Sequence, residues 1–192
     1  MQTLIIEGIA TSGKTTLVTK LKDYLASHAL PSVVVTEEET LMPVLGSKDR
    51  EVALQLLRNV IRRVYMEQDT KVVIFERLYF THIFRTASTL SDFREIEELL
   101  LPNNPEIVFL QISEQAIQDR IQTAMTHRDE DWVLYVKQKG TDTEIADYYI
   151  SQQRQIIAML KESAIPSTVF DTTSMQFDQI TDEVIKRFIV NA

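Results

Sequence analysis

The apolar residues of this chain occur in short continuous runs separated by longer stretches of mixed character. The runs predict β-strands at positions 4–6, 32–37, 71–76, 106–112 and 167–171. KVVIFE and EIVFLQI are apolar almost throughout, which is typical of strands that are buried on both faces of a sheet. We therefore expect a central sheet with layers on both sides.

Apolar residues with helical spacing fill the segments between these runs. They recur every three to four positions in 17–25, 52–67 and 177–189, which predicts an amphipathic helix in each segment. Ser113 is placed to cap a further helix through Ile121.

The order of the predicted elements indicates the fold class. Thr141 and Glu144 have the spacing of a capping box for a long helix that ends near Lys161, just before the last strand. Strands that alternate with helices predict an α/β protein with a parallel sheet and helices on both faces. In such a sheet, ligands bind beyond the carboxyl ends of the strands.

Composition narrows the class of protein. With 192 residues, 44% hydrophobic and 25% charged, the chain is predicted to form one globular domain over 1–192. It lacks an apolar stretch of membrane-spanning length and a signal-peptide pattern, so we expect a cytoplasmic protein. The net charge of −8 argues against broad binding to nucleic acid or to an anionic membrane, since both need clustered Lys and Arg.

The candidate chemistry begins directly after the first predicted strand, at GIATSGKTT. Gly8, four residues, then Gly13, Lys14 and Thr15 have the spacing of a phosphate-binding loop. Glycines let backbone N–H groups approach phosphate oxygens, Lys14 can reach the β- and γ-phosphates, and Thr15 can present its hydroxyl to Mg²⁺. The helix that follows adds the positive end of its dipole. We predict that the nucleotide is bound by Gly8, Thr11, Ser12, Gly13, Lys14, Thr15 and Thr16.

Charged residues follow the second and third predicted strands, at the edge where an α/β sheet binds ligands. Glu76 ends the third strand and is placed to hold Mg²⁺ opposite Thr15; the alternative is an acid exposed at a strand exit. Arg77 can neutralise charge on the transferring phosphoryl group or hold an acceptor oxygen. It can also pair with a glutamate of the TEEE segment, 36–39, and the two roles are compatible.

Three segments, LIIEGIATSGKTTL, VVVTE and VIFERLYFTHIF, together resemble the deoxynucleoside kinase family. Its members have an Ile-Glu-Gly opening, a Thr-Glu-Pro end to the second strand and a Phe-Glu-Arg-Ser motif. The thymidylate kinases are similar over the first segment and have an Asp-Arg-Tyr motif at the later position. The resemblance implies a three-layer P-loop NTPase fold with five parallel strands in the order 2-3-1-4-5, ATP as the phosphoryl donor and Mg²⁺ as the cofactor.

The resemblance also implies roles for individual residues. The family's general base toward the 5′-hydroxyl corresponds to Glu37, and its motif glutamate and arginine correspond to Glu76 and Arg77. The sequence departs from the family where Glu38 stands in place of Pro and Leu78 in place of Ser. The first departure leaves the base open among three consecutive glutamates.

The segment DRIQTAMTHRDEDW is similar to the start of the family's mobile lid, which we place at about 122–136. Arg120 matches the arginine on the helix that leads into the lid and is expected to bind the nucleotide. Arg128 is similar to a later lid arginine that closes over the phosphates and excludes water. The family has a denser arginine cluster, so either residue can instead be a surface charge paired with a neighbouring acid.

Candidate substrate contacts lie on the second predicted helix and after the third strand. Gln55, Asn59 and Arg62 form a polar stripe opposite the apolar arc of the helix. Gln55 and Arg62 resemble in spacing the family's base-reading glutamine and its companion arginine, although such a stripe is most often only solvated. Tyr79 is a further expected substrate contact, and the lone His82 is interpreted as structural.

The predicted activity is ATP- and Mg²⁺-dependent phosphoryl transfer to a hydroxyl of a nucleoside or similar small acceptor. Lys14, Arg77 and Arg128 would stabilise charge on the phosphoryl group. One alternative is a nucleoside monophosphate kinase, in which Arg77 and a second cation, Arg62 or Arg85, would clamp the acceptor phosphate. Another is a nucleotide-dependent regulator without a small acceptor. We expect a small-molecule partner and a chain that can form a homodimer.

Overall fold

A computed structural model, which describes residues 1–67 and 69–190, has a five-stranded parallel sheet at its centre. The strand order is β2-β3-β1-β4-β5, with β1 in the middle, as the resemblance implied. The strands are β1 Gln2–Glu7, β2 Ser32–Val35, β3 Val72–Glu76, β4 Pro105–Gln111 and β5 Ser167–Asp171. All five predicted strands are therefore confirmed.

Helices connect the strands and cover both faces of the sheet. In the described part of the chain they are α1 Lys14–Ser27, α2 Glu37–Thr40, α3 Arg50–Tyr65, α4 Phe80–Arg85, α5 Arg94–Leu100, α6 Glu114–Met125, α7 Glu130–Lys137, α8 Asp142–Glu162 and α9 Phe177–Val184. Short 3-10 turns lie at Met42–Val44, Leu90–Phe93 and Leu101–Asn103, and a π-helical turn at Ile185–Ile189 extends α9. Among the described residues, none of the helices is both long and apolar enough to cross a membrane.

Alternate residues of each strand face opposite sides of the sheet and build two cores. Leu4 and Ile6 of β1 pack with α1 and α9, whereas Ile5 packs with residues of α3, α4, α5 and α8. All three side chains have no exposed surface. The continuous apolar runs thus belong to strands that are covered on both faces, as predicted.

The boundaries of some elements differ from the predictions. The second strand ends at Val35, and Glu37–Thr40 forms α2 instead of prolonging it. Glutamate is unfavourable in strands, and acidic side chains are stabilised by the dipole at a helix start. Ser113 is at the N-cap position of α6 but makes no side-chain capping hydrogen bond, whereas the capping box of Thr141 and Glu144 is confirmed.

The carboxyl ends of β1, β2 and β3 meet at one edge of the sheet. Ile6 of β1 is in register with Glu76 of β3, and Val35 of β2 is in register with Phe75. The phosphate loop, α2 and the residues after Glu76 therefore all start from the same edge, where ligands bind in this class of sheet.

Candidate active site

The loop between β1 and α1 has the backbone shape of a phosphate cradle. Gly8 and Gly13 have φ angles of 153° and 94°, in a region that favours glycine. A Cβ on Gly8 would lie 2.5 Å from Ser12 Oγ, and a Cβ on Gly13 would lie 2.0 Å from the ring of Phe177. Both positions thus exclude larger residues. Because α1 begins at Lys14, the unpaired N–H groups of its first turn belong to this loop, and the arrangement fits the phosphates of a nucleotide.

The Lys14 side chain lies inside the loop and is only 5% exposed. Its Nζ donates a hydrogen bond to the carbonyl oxygen of Ile9 at 2.8 Å. Burial and the positive charge of Arg77 lower the pKa of Lys14 to about 7, although neighbouring carboxylates act in the opposite direction. A bound phosphate would favour the charged form of this amine.

Thr15 and Glu76 supply a pair of oxygen atoms on the metal side of the loop. The Thr15 hydroxyl donates to Oε1 of Glu76 at 2.5 Å, and Glu76 is only 4% exposed. Hydroxyl and carboxylate oxygens are ligands that suit Mg²⁺, which usually takes few protein ligands and completes its shell with phosphates and water. The structure therefore brings the two predicted metal residues together in an arrangement that fits the ion.

Arg77 follows Glu76 and contacts both α2 and the first residue of the phosphate loop, where its Nη1 donates to the carbonyl oxygen of Gly8 at 3.5 Å. Its Nε lies 2.7 Å from Oε2 of Glu37, an ion pair without the alignment of a hydrogen bond, and its Nη1 donates to Thr81 Oγ1 at 3.2 Å. The Glu37 side chain is 39% exposed and that of Arg77 is 18% exposed. The carboxylate of Glu37 is thus accessible from solvent.

The three consecutive glutamates of α2 have different surroundings. Glu37 pairs with Arg77, and Glu39 forms an ion pair with Arg63 of α3 at 2.5 Å. Glu38 is exposed. Of the three, Glu37 is therefore the carboxylate that lies against a predicted catalytic residue, and the alternative pairing of Arg77 with a glutamate of this segment is present as well.

The two predicted lid arginines occupy different positions. Arg120 reaches the phosphate loop, where its guanidinium donates to the carbonyl oxygens of Thr11 at 2.5 Å and Thr172 at 2.9 Å. Burial lowers its pKa. Arg128 is exposed and lies over the ring of Trp132 at 5.3 Å from the centroid. Arg120 thus links the loop to the end of β5, whereas Arg128 belongs to the exposed turn before α7.

The predicted base contacts on α3 are exposed. Gln55 donates to Asn59 on the next helical turn at 2.9 Å, and Arg62 is exposed on the same polar stripe. This stripe lies opposite the side of α3 that packs on the sheet. Both side chains belong to an exposed helix surface, and their predicted role in substrate binding stays a prediction.

Tyr79, the further predicted substrate contact, is buried. Its side chain has no exposed surface, and its hydroxyl donates to Oε1 of Glu97 at 3.0 Å. His82 is 1% exposed, and its Nε2 lies 2.8 Å from the carbonyl oxygen of Thr40 at the end of α2. Burial lowers the pKa of His82, so the neutral ring serves as a structural link between α4 and α2, as predicted.

Two residues at the site were not assigned a role from the sequence. Glu7 is fully enclosed next to the phosphate loop, and an acid at the end of an apolar strand is a sequence signal for a special environment. Phe177, which packs against Gly13, comes from the start of α9. No local pattern predicts that contact, because only the folded sheet brings the two ends of the chain together.

Comparisons with known proteins support the fold. The sequence matches no family model and no curated protein. Among solved structures, the chain is similar to the YorR protein of Bacillus subtilis in complex with phosphorylated GDP, with 16% sequence identity and a TM-score of 0.64. The match covers 96% of this chain and 94% of that one. The fold is therefore a P-loop NTPase-like α/β fold, and one similar protein binds a nucleotide.

Proposed function

We propose that this protein is a kinase that transfers the γ-phosphoryl group of ATP to a hydroxyl of a nucleoside or similar small acceptor, with Mg²⁺ as cofactor. The observation that carries this proposal is a pair of contacts from consecutive residues. Glu76 bonds to Thr15 of the phosphate loop, and Arg77 pairs with Glu37 of α2. The end of β3 therefore joins a phosphate-binding side to a candidate base.

The donor side would hold the triphosphate. Lys14 and the N–H groups of the loop would bind the β- and γ-phosphates, and the oxygens of Thr15 and Glu76 would hold the metal. When bound, Mg²⁺ neutralises charge that develops on the phosphoryl group. Arg120 would keep the loop closed through its bond to the Thr11 carbonyl.

The acceptor side would supply the base. Glu37 takes the proton of the acceptor hydroxyl while the hydroxyl oxygen forms its bond to the γ-phosphorus and the bond to the departing ADP oxygen breaks. Arg77 orients the carboxylate of Glu37 and can hold the acceptor oxygen. Arg128 adds positive charge from the lid side.

A neutral hydroxyl acceptor is supported over an anionic one by the positions of the other arginines. A nucleoside monophosphate needs a second cation beside Arg77 to clamp its phosphate. Arg85 instead donates to the carbonyl oxygens of Val44, Leu45 and Ser47 and so fixes the turn after α2. Arg62 lies on the solvated stripe of α3.

The YorR protein, whose structure contains phosphorylated GDP, supports a nucleotide as the ligand class at this loop. A guanine nucleotide is therefore included as donor and as acceptor in the test below. The same test also distinguishes a kinase from a nucleotide-dependent regulator that has no small acceptor.

The test is a transfer screen with radiolabelled ATP and GTP against nucleosides, nucleoside monophosphates and unrelated small alcohols. We expect label on the hydroxyl of at least one nucleoside and none with the Lys14→Ala variant. Lys20→Ala is the matched control, since Lys20 is a cation of the same helix that pairs with Asp178 at the surface. Label on monophosphates alone would replace the proposal with a monophosphate kinase. Slow hydrolysis without transfer would indicate the regulator.

A further inference from the structure

Glu7, the last residue of β1, is a buried acid that the proposed reaction does not use. It is 1% exposed, and its Oε1 accepts a hydrogen bond from the backbone N–H of Leu78 at 2.9 Å. Its Oε2 has no hydrogen-bond partner among the described residues. Burial raises the pKa of Glu7, while Arg77, the Leu78 N–H and Lys14 act in the opposite direction. Burying a carboxyl group with one unpaired oxygen costs stability. We therefore ask what the hydrogen bond from the Leu78 N–H to Glu7 does in the structure.

The backbone conformation of Arg77 explains the hydrogen bond between Glu7 and Leu78. Arg77 has a φ of 59°, a left-handed conformation that a residue with a side chain adopts only when its surroundings hold it there. On one side of this residue, the Arg77 N–H donates to the carbonyl oxygen of Ile6 at 3.0 Å. On the other side, the Leu78 N–H donates to Glu7. Ile6 and Glu7, the last two residues of β1, therefore accept hydrogen bonds from the two backbone amides on either side of the Arg77 Cα.

We infer that Glu7 is a positioning residue, which holds the left-handed turn at Arg77 so that the guanidinium lies against Glu37. The inference rests on the proposed function for its effect on turnover. Glu7 lies directly before Gly8, the first residue of the phosphate loop. The same residue would thereby tie the arginine of the acceptor side to the loop of the donor side.

Two substitutions separate the hydrogen bond from the charge. Glu7→Gln removes the charge but keeps an oxygen that can accept from Leu78, whereas Glu7→Met fills the space without an acceptor. Ile5→Val is the matched control, because Ile5 is a fully buried neighbour on the same face of β1. One measurement does not depend on activity: the position of the Arg77 Nε–H signal in a ¹⁵N–¹H NMR spectrum. The signal is assigned by its disappearance in the Arg77→Lys variant.

We expect Glu7→Gln and Ile5→Val to keep the Arg77 signal at its position, and Glu7→Met to shift or broaden it. In turnover, Glu7→Met should lower kcat/KM by about 10²-fold, as a small misplacement of a catalytic group does. The same change in an Arg77→Ala background should have no further effect, since the residue that Glu7 positions is already gone.

Several results would overturn the inference. They are an unshifted Arg77 signal in Glu7→Met, a Glu7→Gln variant as defective as Glu7→Met, and additive losses in the double variant. Rapid hydrogen exchange of the Leu78 amide in the unmodified protein would do so as well, and that measurement needs no variant to fold. If no acceptor is ever phosphorylated while Glu7→Met still displaces the Arg77 signal, the kinase proposal fails and the positioning role stands.

Discussion

The donor and acceptor sides of the candidate site differ in how their residues are distributed along the chain. The donor side consists of the contiguous loop 8–16 together with Glu76, and these predicted residues lie together in the structure. On the acceptor side, Glu37 meets Arg77, but Gln55 and Arg62 face solvent and Tyr79 is enclosed.

The difference shows which kind of site a sequence describes well. A phosphate loop is built from neighbouring residues whose φ angles and side chains are required together, so its pattern can be recognised locally. The proposed acceptor side combines α2 and the end of β3. Its residues share no local pattern, and their contacts depend on how the elements pack.

The largest expected effect tests the donor side. Lys14→Ala should lower phosphoryl transfer by about 10³-fold, because it removes the buried cation that would bind the β- and γ-phosphates. Its melting temperature should stay close to that of the unmodified protein, since the amine contributes little to the apolar core. Initial rates and thermal unfolding, measured beside Lys20→Ala, check this. Normal turnover in a folded Lys14→Ala protein would remove the phosphate-loop hypothesis.

The second prediction tests the acceptor side through α2. Glu37→Gln keeps the size of the side chain but cannot accept a proton at neutral pH, so kcat should fall by about 10² to 10⁴ with little change in acceptor affinity. Glu38→Gln and Glu39→Gln are the matched controls and should be nearly silent. The measurement is steady-state kinetics with the acceptor found in the screen. If all three variants are active, no base is needed and the acceptor is a phosphate.

The third prediction concerns the residue that joins the two sides. Glu76→Gln should lower turnover by about 10- to 100-fold, as loss of a group that holds or orients a metal does. The defect should shrink as Mg²⁺ concentration rises, because added metal offsets weakened binding. Titrating Mg²⁺ at saturating ATP checks this. The Glu37→Gln variant should not be rescued in the same titration, and equal rescue of both would contradict their separate roles.

A smaller effect is expected in the number of protons that the protein takes up when it binds a nucleotide. Burial lowers the pKa of Lys14 to about 7, so part of the amine is neutral at pH 7.5. Bound phosphates favour the ammonium form, so binding should take up a fraction of a proton. Calorimetry in buffers of different ionisation enthalpy measures this uptake. It should vanish in Lys14→Ala, and proton release at Lys14 would contradict the sign.

The smallest effect should come from the stripe on α3. Gln55→Ala and Arg62→Ala should change kcat and acceptor KM by no more than about twofold, as is usual for exposed side chains away from a site. A tenfold rise in acceptor KM, about 1.4 kcal/mol of binding, would instead support the hypothesis that this stripe reads a base.

Much of the architecture follows from the sequence. The five strands are recognisable because each is a short apolar run between punctuating residues, and α1, α3 and α9 are recognisable from their helical period. The capping box of Thr141 and Glu144 was also identifiable from spacing alone. The short helices α4, α5 and α7 were not predicted, because helices of this length are stable only through tertiary packing.

The sequence by itself determined the parts whose physical requirements are local. These are the alternation of strands and helices, the glycines of the phosphate loop, the placement of Lys14 and Thr15 after the first strand, and the placement of Glu76 at the end of the third. Such features are set by backbone conformation and by side chains within a few positions of one another.

The tertiary structure alone decided which distant groups meet. It placed Glu37, one of three consecutive glutamates, against Arg77, and it enclosed Glu7 with its Oε1 on the Leu78 amide. The physical reason is that these contacts depend on strand register and on the direction of each side chain once the elements have packed. The local pattern of residues contains neither the strand register nor the direction of a side chain in the packed structure.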